Sequence, residues 1–342
     1  MSVAHDHTAG CACGIDVHAH VIPHDLPRYV GNRLPSDWPS MAPAHACHRH
    51  VIIQGSVYRT VSERAWSASR RIEDMDPMGL AVQAISPMPE LLSYWMEPNA
   101  AAQLLRYMNE QIANMAALSG GRLVGMGAVP LQDLDLALAE LDHVADRLGF
   151  KAIEVGSNVN GKAIGSPEFA PFFAACAHKG VAVFVHALKP AGADRLVGPD
   201  KLLPALAYPT DVGLAAASVL TSNLIGRIPD LKMAFSHGGG TLASLLPRLE
   251  QARQVFPALA DAMPESPSTQ ARRLFYDTLV FDAPALRHLV DRFGASQLMI
   301  GTDYPFAFHD ARPVDSIAAA VGDADVRAQL VTRNAARFLG LE

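Results

Sequence analysis

The chain has 342 residues, of which 50% are hydrophobic, and it carries a formal net charge of −6. This size and composition allow a large buried core and exclude a disordered or fibrous protein. The acidic balance offers no basic surface for nucleic acid, so we expect a small-molecule ligand. No uninterrupted apolar run reaches the ~20 residues of a membrane span, and residues 1–10 lack the pattern of a signal peptide. We therefore expect a cytoplasmic protein without a membrane partner.

The four cysteines do not form a disulfide framework in a chain of this length. Two of them, Cys11 and Cys13, follow His5 and His7 closely and could be drawn as a second metal site. Against this alternative, a zinc knuckle usually carries a matching pair elsewhere in the chain. The role of Cys11 and Cys13 is left open.

Short β-branched and apolar runs alternate with stretches of helical periodicity, which predicts βα units and a parallel sheet. Runs such as 181–185 are apolar at successive positions, so both faces of the strand should be buried. Eight such units predict a (β/α)8 TIM barrel, in one domain spanning 1–342. The eight candidate strands are 14–19, 81–86, 122–129, 150–156, 181–186, 231–236, 274–280 and 297–302.

The connections between these strands include both helices and long loops. Residues 21–62 are too long for an ordinary βα loop, and we interpret them as an insertion that covers the barrel mouth. Leucine and methionine spacing predicts helices over 99–119 and 133–148. A third helix should be capped by Ser166, begin at Pro167 and end at Gly180. Residues 189–211 form a second long connection.

Unusual polar residues fall where the predicted strands end, which is the rim that carries the active site in a TIM barrel. His18 and His20 leave the same face of the first strand. His186 closes the fifth strand, His237 closes the sixth, and Asp303 follows the eighth. Three imidazoles and one carboxylate suit a single divalent ion with a position left for water or substrate. His237 would then be the acid or base, since histidine titrates nearest physiological pH.

Several motifs together resemble one known family over nearly the whole chain. They are Asp16-x-His18-x-His20, the strand-end His186, the segment Phe235-Ser236-His237-Gly238-Gly239-Gly240 and the segment Gly301-Thr302-Asp303-Tyr304-Pro305-Phe306. This pattern resembles the amidohydrolase superfamily, in its aminocarboxymuconate semialdehyde decarboxylase-like branch. The resemblance implies a non-oxidative decarboxylase whose Zn²⁺, or in some relatives Mn²⁺, is held by His18, His20, His186 and Asp303.

The resemblance also implies roles for residues that spacing alone does not mark. His237 becomes the essential acid/base, while Asp303 stays an alternative proton donor to carbon. Arg59 resembles the arginine that binds a substrate carboxylate, which suits the planar fork of a guanidinium. Arg248 resembles an arginine that reaches into a neighbouring subunit's site, which implies a homodimer.

The chain departs from the closest decarboxylases of that branch in two loops. Ala187-Leu188 replaces a Pro-Trp pair after the fifth-strand histidine, and the insertion differs in composition around His45, Cys47, His48 and His50. The substrate therefore need not be the aminocarboxymuconate semialdehyde. The fourth strand ends in Glu154-Val155-Gly156, without the lysine found there in many binuclear amidohydrolases, which favours one metal ion.

The leading hypothesis is a metal-dependent decarboxylase of a carboxylated muconate semialdehyde or aromatic acid, in aromatic-compound catabolism. An alternative is a metal-dependent hydrolase or hydratase, lactonase-like, of the same superfamily. An esterase that uses His237-Gly-Gly-Gly as an oxyanion motif would need a Gly-x-Ser-x-Gly elbow downstream, and none occurs. A metal-dependent binding protein without activity is disfavoured by the intact His237 and Asp303.

Overall fold

The computed structural model describes residues 13–199 and 201–341. Cys11, His5 and His7 of the alternative metal site lie outside the described residues. Cys13 is exposed and has a free thiol.

Eight parallel strands form the centre of the fold, which confirms the predicted barrel architecture. In spatial and chain order they are β1 (Gly14–Val21), β5 (Leu80–Pro87), β6 (Leu123–Ala128), β7 (Ala152–Gly156), β10 (Ala182–His186), β11 (Met233–Phe235), β12 (Phe275–Asp277) and β13 (Leu298–Met299). The first and last strands meet through parallel bridges, with the Val17 amide donating to the Ile300 carbonyl at 2.9 Å. The sheet is thereby closed into a barrel.

The last two strands are shorter than the predicted 274–280 and 297–302. Beyond Met299 the backbone leaves regular pairing with β12 and turns toward β1. There the Thr302 amide donates to the Asp16 carboxylate at 3.2 Å, and the Asp303 amide donates to the His18 carbonyl at 2.8 Å. Hydrogen bonds to Asp16 and His18 thus replace regular strand pairing at this end of the barrel.

The helices lie outside the strands and include all three that the spacing predicts. The α-helices are α1 (Ala68–Met75), α2 (Pro98–Ala117), α3 (Leu134–Asp142), α4 (Ala170–Lys179), α5 (Tyr208–Thr221), α6 (Leu224–Arg227), α7 (Leu242–Val255), α8 (Pro257–Ala262), α9 (Pro267–Ala271), α10 (Ala283–Phe293), α11 (Pro313–Ala320), α12 (Ala324–Ala328) and α13 (Asn334–Leu339). A π-helical turn, His143–Arg147, continues α3, and another, Leu203–Ala207, precedes α5.

One detail of the predicted capping is wrong. The Ser166 side chain makes no capping hydrogen bond, because the segment opens with a 3₁₀ turn, Pro167–Phe169, in which the Phe169 amide donates to the Ser166 carbonyl. The end of this helix is as predicted, since Gly180 adopts the left-handed backbone with φ of 67°.

The core has two layers, as expected for a filled barrel. Inside the strands, small residues such as Ala152, Ala182 and Ala234 alternate with large ones such as Met126 and Phe184. A larger apolar layer fills the space between the strands and the surrounding helices. The apolar filling gives way to polar side chains at the carboxyl ends of the strands.

The segment after β1 contains its own three-stranded antiparallel sheet, formed by β2 (Ser40–Pro43), β3 (His48–Ile53) and β4 (Ser56–Ser62). A separate apolar cluster, which includes Val51, Val61, Met88, Leu91 and Leu104, packs this sheet against the turn after β5 and against α2. A small hairpin, β8 (Asn158–Val159) with β9 (Lys162–Ala163), follows β7.

One helical run, Leu203–Thr221, is long and apolar enough by composition to be compared with a membrane span. In this fold, 44% of its most apolar window is buried. Core helices of globular proteins satisfy the same criterion.

Candidate active site

The imidazoles of β1 and the carboxylate after β13 meet at the barrel rim. The Nε2 atoms of His18 and His20 are 3.1 Å apart, and Asp303 Oδ1 lies 3.4 Å and 3.1 Å from them. The ring of His186 is centred 5.0 Å from the His18 ring and 4.9 Å from the His20 ring. All four residues are buried. The structure thus brings together the four residues predicted as metal ligands.

Each of the three imidazoles is oriented by a neighbour of its Nδ1 atom. His18 Nδ1 lies 2.7 Å from Asp277 Oδ2, His20 Nδ1 lies 3.0 Å from the Pro87 carbonyl, and His186 Nδ1 lies 2.8 Å from the carbonyl of the next residue. Because these oxygens accept hydrogen bonds, each Nδ1 carries a proton, so the neutral form of each ring presents the lone pair of its Nε2 atom to the rim. The ring nitrogens at the rim are therefore the ones able to bind a cation.

Two polar atoms of the cluster have no hydrogen-bond partner within the described residues. They are His186 Nε2 and Asp303 Oδ1, and both are shielded from solvent. Buried acceptors without a donor are rare in folded proteins because they lose hydration without compensation. A divalent cation would satisfy both, so the residues fit the metal that the sequence predicts.

The pKa values of the buried side chains in the cluster also favour a bound cation. Burial alone would lower the pKa of His18, but Asp277 and Asp303 outweigh it and raise that pKa to about 10. Burial would raise the pKa of Asp303, yet its close contacts with the His18 and His20 imidazoles and their charges hold that pKa well below its usual range. Burial and the neighbouring imidazoles lower the pKa of His186. A metal ion would replace the proton that the carboxylates otherwise attract to His18.

His237 lies beside the cluster, after β11, in a left-handed backbone conformation with φ of 53°. Its ring is centred 5.3 Å from the His18 ring and 5.1 Å from the His186 ring, and its Nδ1 contacts Ser236 Oγ at 2.9 Å. Burial, followed by the charge of His18, lowers its pKa to about 4, so the imidazole is neutral near pH 7. Positive φ in a non-glycine residue is strained, and such strain is concentrated at functional sites.

Two sets of four ligands are geometrically available. The predicted set contains both histidines of β1. A second set replaces His20 with His237, since ligand atoms of His18, His186, His237 and Asp303 all lie within 4.8 Å of one another. We favour the predicted set, because His20 Nε2 lies only 3.1 Å from Asp303 Oδ1.

Asp277, at the end of β12, is a site residue that the sequence analysis missed. Its buried carboxylate contacts His18 Nδ1 and accepts the backbone N–H groups of His237 at 3.0 Å, Gly238 at 2.8 Å and Leu279 at 3.1 Å. One carboxylate therefore orients both a proposed ligand and the backbone of the proposed acid/base. Sequence analysis missed Asp277 because the predicted strand, 274–280, continues past it, whereas the strand in the structure ends there.

Two further buried carboxylates support the first strand. Asp16 accepts hydrogen bonds from Thr302 Oγ1 at 2.6 Å and Gln83 Nε2 at 2.8 Å, which ties β1 to its neighbours on both sides. Glu154, in the middle of β7, lies 3.5 Å from His20 Nδ1, and burial raises its pKa to about 6. Asp16 therefore has a structural role within the sequence motif, and Glu154 was missed as a neighbour of the cluster.

The two predicted substrate arginines have different positions. The Arg59 guanidinium on β4 lies 4.0 Å above the centre of the Phe306 ring, which itself stacks on His20 at 5.3 Å. Arg59 is thus one aromatic ring away from the cluster. Arg248 is on the exposed side of α7, and no contact described within this chain brings it to the site.

A cavity of about 570 Å³ lies near the cluster, although none of its lining residues belongs to the cluster. Tyr208 lines it, and the tyrosine ring is centred 6.2 Å from the His186 ring and 6.3 Å from the His237 ring. Tyr58 and Glu90 line the same wall, where the Tyr58 hydroxyl donates to Glu90 Oε1 at 2.5 Å and the Tyr208 hydroxyl donates to it at 3.3 Å. Sequence patterns did not identify Glu90 or Tyr208, because their loops are adjacent only in the folded chain.

A closed parallel barrel with buried histidines and an aspartate converging at the carboxyl ends of its strands defines a metal-dependent barrel enzyme. The amidohydrolase family model matches residues 15–341, and the chain belongs to this family. It is 31% identical to the 2-amino-3-carboxymuconate-6-semialdehyde decarboxylase of Dictyostelium discoideum over 331 residues, covering 96% of this chain and 92% of that protein.

Solved structures agree on the fold. The IDCase of Metarhizium anisopliae in its apo form aligns with a TM-score of 0.80 at 23% identity, covering 98% of this chain and 99% of that one. The 5-carboxyvanillate decarboxylase of Sphingomonas paucimobilis aligns with a TM-score of 0.72 at 26% identity, covering 79% and 82% of the two chains. A dihydroxybenzoic acid decarboxylase from Polaromonas with bound manganese aligns with a TM-score of 0.71 at 21% identity, covering 80% and 85%.

Proposed function

We propose that this protein is a metal-dependent, non-oxidative decarboxylase of a carboxylated aromatic or muconate-type acid, active in aromatic-compound catabolism. The observation that carries the proposal is the rim cluster, in which His186 Nε2 and Asp303 Oδ1 have no hydrogen-bond partner among residues 13–199 and 201–341, while Arg59 lies one aromatic ring away. The similarity to several decarboxylases supports carboxy-lyase chemistry.

We assign one divalent cation to His18, His20, His186 and Asp303. Three nitrogen donors and one carboxylate favour Zn²⁺, and Mn²⁺ is the second choice. When bound, the cation would polarise a substrate oxygen and stabilise the negative charge that develops as CO₂ leaves.

The remaining steps are assigned to the protein's own side chains. Arg59 would bind a substrate carboxylate through its planar fork, and Phe306 would keep the guanidinium in place. Breaking the carbon–carbon bond leaves an electron pair on the substrate, and a proton must then reach that carbon. We assign this transfer to His237 rather than Asp303: the neutral imidazole would first accept a proton from a water molecule and then, as the imidazolium, donate a proton to the carbon, while the hydroxide left from the water combines with the released CO₂ as bicarbonate. Asp303 is less suited, because the neighbouring imidazoles hold its pKa low and keep the carboxylate ionised.

The first test is CO₂ release by the metal-loaded protein from a panel of hydroxylated aromatic acids and muconate-type acids. We expect His237→Ala to lose about 10²–10⁴-fold in kcat while keeping its metal, because positioned proton transfer contributes that much. His178→Ala, which removes an exposed histidine from α4, is the matched control. Undiminished CO₂ release by the His237 variant would contradict the mechanism.

The same panel should include lactones, because a lactonase-like hydrolase or hydratase would use the same rim residues. Lactone turnover without CO₂ release from any acid would replace the proposed function with this alternative. Arg59 beside the site favours the decarboxylase, since a guanidinium matches a carboxylate.

We also propose a cytoplasmic homodimer in which Arg248 reaches the neighbouring subunit's site. The exposed position of Arg248 on α7 supports this assignment. A monomeric mass by sedimentation at working concentration would contradict the shared site.

The sheet formed by β2, β3 and β4 carries Arg59 close to the rim. This supports our interpretation of 21–62 as a cover over the mouth of a single-domain barrel.

A further inference from the structure

Arg71, on α1, is one of the largest fully buried side chains of the protein. Its guanidinium forms no ion pair with a carboxylate of residues 13–199 or 201–341, and the charges of Asp16 and Asp74 act on it only from a distance. Burial lowers the pKa of Arg71 to about 10, so the side chain stays charged at neutral pH. Burying an unpaired charge opposes folding. A buried arginine without an ion pair is therefore expected to have a specific role.

The contacts of this guanidinium lead directly to the proposed metal ligands. Nη2 donates to the His20 carbonyl, and Nη1 donates to Gln83 Oε1 at 2.7 Å. Gln83 in turn donates to Asp16 at 2.8 Å, and the same carboxylate accepts the His18 amide at 2.9 Å. The guanidinium carbon also lies 4.7 Å from the centre of the Tyr304 ring. One side chain is thus connected to the backbone of both histidine ligands in β1 and to the residue that follows the ligand carboxylate.

Tyr304 links the same contacts to the other side of the cluster. Its carbonyl accepts the His20 amide at 2.7 Å, and its hydroxyl donates to Asp74 Oδ2 at 2.8 Å. Asp74 belongs to α1, as does Arg71, so one helix fixes both the ring face and the hydroxyl of this tyrosine. Because Tyr304 directly follows Asp303 in the chain, its position limits where the Asp303 carboxylate can lie.

We propose that Arg71 is a positioning residue of the active site. It holds the His20 carbonyl and the Tyr304 ring, so that His20 Nε2 and Asp303 Oδ1 stay 3.1 Å apart and can bind one cation. A planar guanidinium donates in two directions while its face covers an aromatic ring, which an ammonium cannot do. The inference rests on the metal site of the proposed function and extends it to a residue outside the rim.

The test measures metal affinity and stability in the same variants. Arg71→Met removes the charge and both hydrogen bonds. Competition with a chromophoric chelator should show Zn²⁺ affinity falling about 10–100-fold, the scale for outer partners of metal ligands. The rise in Tm that Zn²⁺ gives over the metal-free protein should shrink with it, because this rise follows from the affinity. A role confined to packing would instead lower the Tm of both forms equally and leave the affinity unchanged.

Arg273→Met is the matched control. Arg273 is a partly buried arginine that donates to the Ile225 carbonyl at 2.9 Å and pairs with Glu265, and neither partner belongs to the rim cluster. Its loss should leave Zn²⁺ affinity unchanged. An equal fall in affinity in Arg71→Met and Arg273→Met would contradict the positioning role.

Arg71→Lys keeps the charge and one hydrogen bond, so its Zn²⁺ affinity should fall by only about 2–10-fold. If Arg71→Met does not fold, Arg71→Lys decides, since wild-type affinity in the folded variant would contradict the positioning role. Zn²⁺ binding is measured without turnover. A lack of CO₂ release by the wild type would therefore contradict only the proposed function.

Discussion

The rim cluster and the cavity wall are adjacent but are built in opposite ways. Rim side chains come from the ends of barrel strands, are buried, and are fixed by carboxylates and backbone carbonyls. The wall is assembled from loops: the β3–β4 hairpin, the turn after β5, the loop after β10 and the start of α5. Barrel enzymes commonly place chemistry on strand ends and vary specificity through loops. Changes at the rim should therefore remove the metal and the reaction, whereas changes in the wall should alter the choice of substrate.

The largest effect should come from removing a rim ligand. We expect His186→Ala to lose more than about 100-fold in metal affinity, since even the outer partners of metal ligands contribute about 10–100-fold. The wall should keep its shape, because His186 makes no side-chain hydrogen bond to it. Elemental analysis after dialysis against a metal buffer measures the effect. His143→Ala, on the outer π-helical turn, serves as the comparison. Full metal occupancy in the His186 variant would show that the rim assignment is wrong.

A smaller loss should follow from changing the carboxylate behind the rim. Asp277→Asn presents one oxygen where the native side chain presents two, so it cannot accept from His18 Nδ1 and three backbone amides equally well. We expect metal affinity to fall about 10–100-fold. Competition with a chromophoric chelator would give the two dissociation constants. Asp142→Asn, at an exposed ion pair with Lys179, is the control. Unchanged affinity would mean that Asp277 does not orient His18.

The smallest effect should arise in the wall. Tyr58→Phe removes the hydroxyl that donates to Glu90, and we expect KM to change about 2–10-fold, the scale of one hydrogen bond. Metal content should stay the same. Steady-state kinetics on an acid that the protein decarboxylates would measure this. Tyr107→Phe is the control, because the Tyr107 hydroxyl donates to the Asp25 carbonyl and does not line the cavity. Loss of bound metal in Tyr58→Phe would contradict the separation of rim and wall.

The sequence predicted the rim better than the wall for a physical reason. Strand positions and the residues that end them follow from local periodicity, so His18, His186 and Asp303 could be placed from neighbouring residues alone. Asp277 also ends its strand, but the predicted strand continued to residue 280, so Asp277 was not recognised as a strand-end residue. Tyr208 and Glu90 come together only through the folding of distant loops. The three strands inside the insertion also lacked a clear period-two pattern, so only the insertion itself was predicted.

The seam of the barrel coincides with the rim. Asp16 and Thr302, 286 residues apart in sequence, are hydrogen-bonded where the first and last strands meet, and the proposed ligands His18 and Asp303 lie beside that contact. Closing so long a loop carries one of the larger entropy costs in the chain. A cation bound to His18 on β1 and to Asp303 after β13 would therefore link the two ends of the polypeptide. Metal binding would then also stabilise the closed barrel.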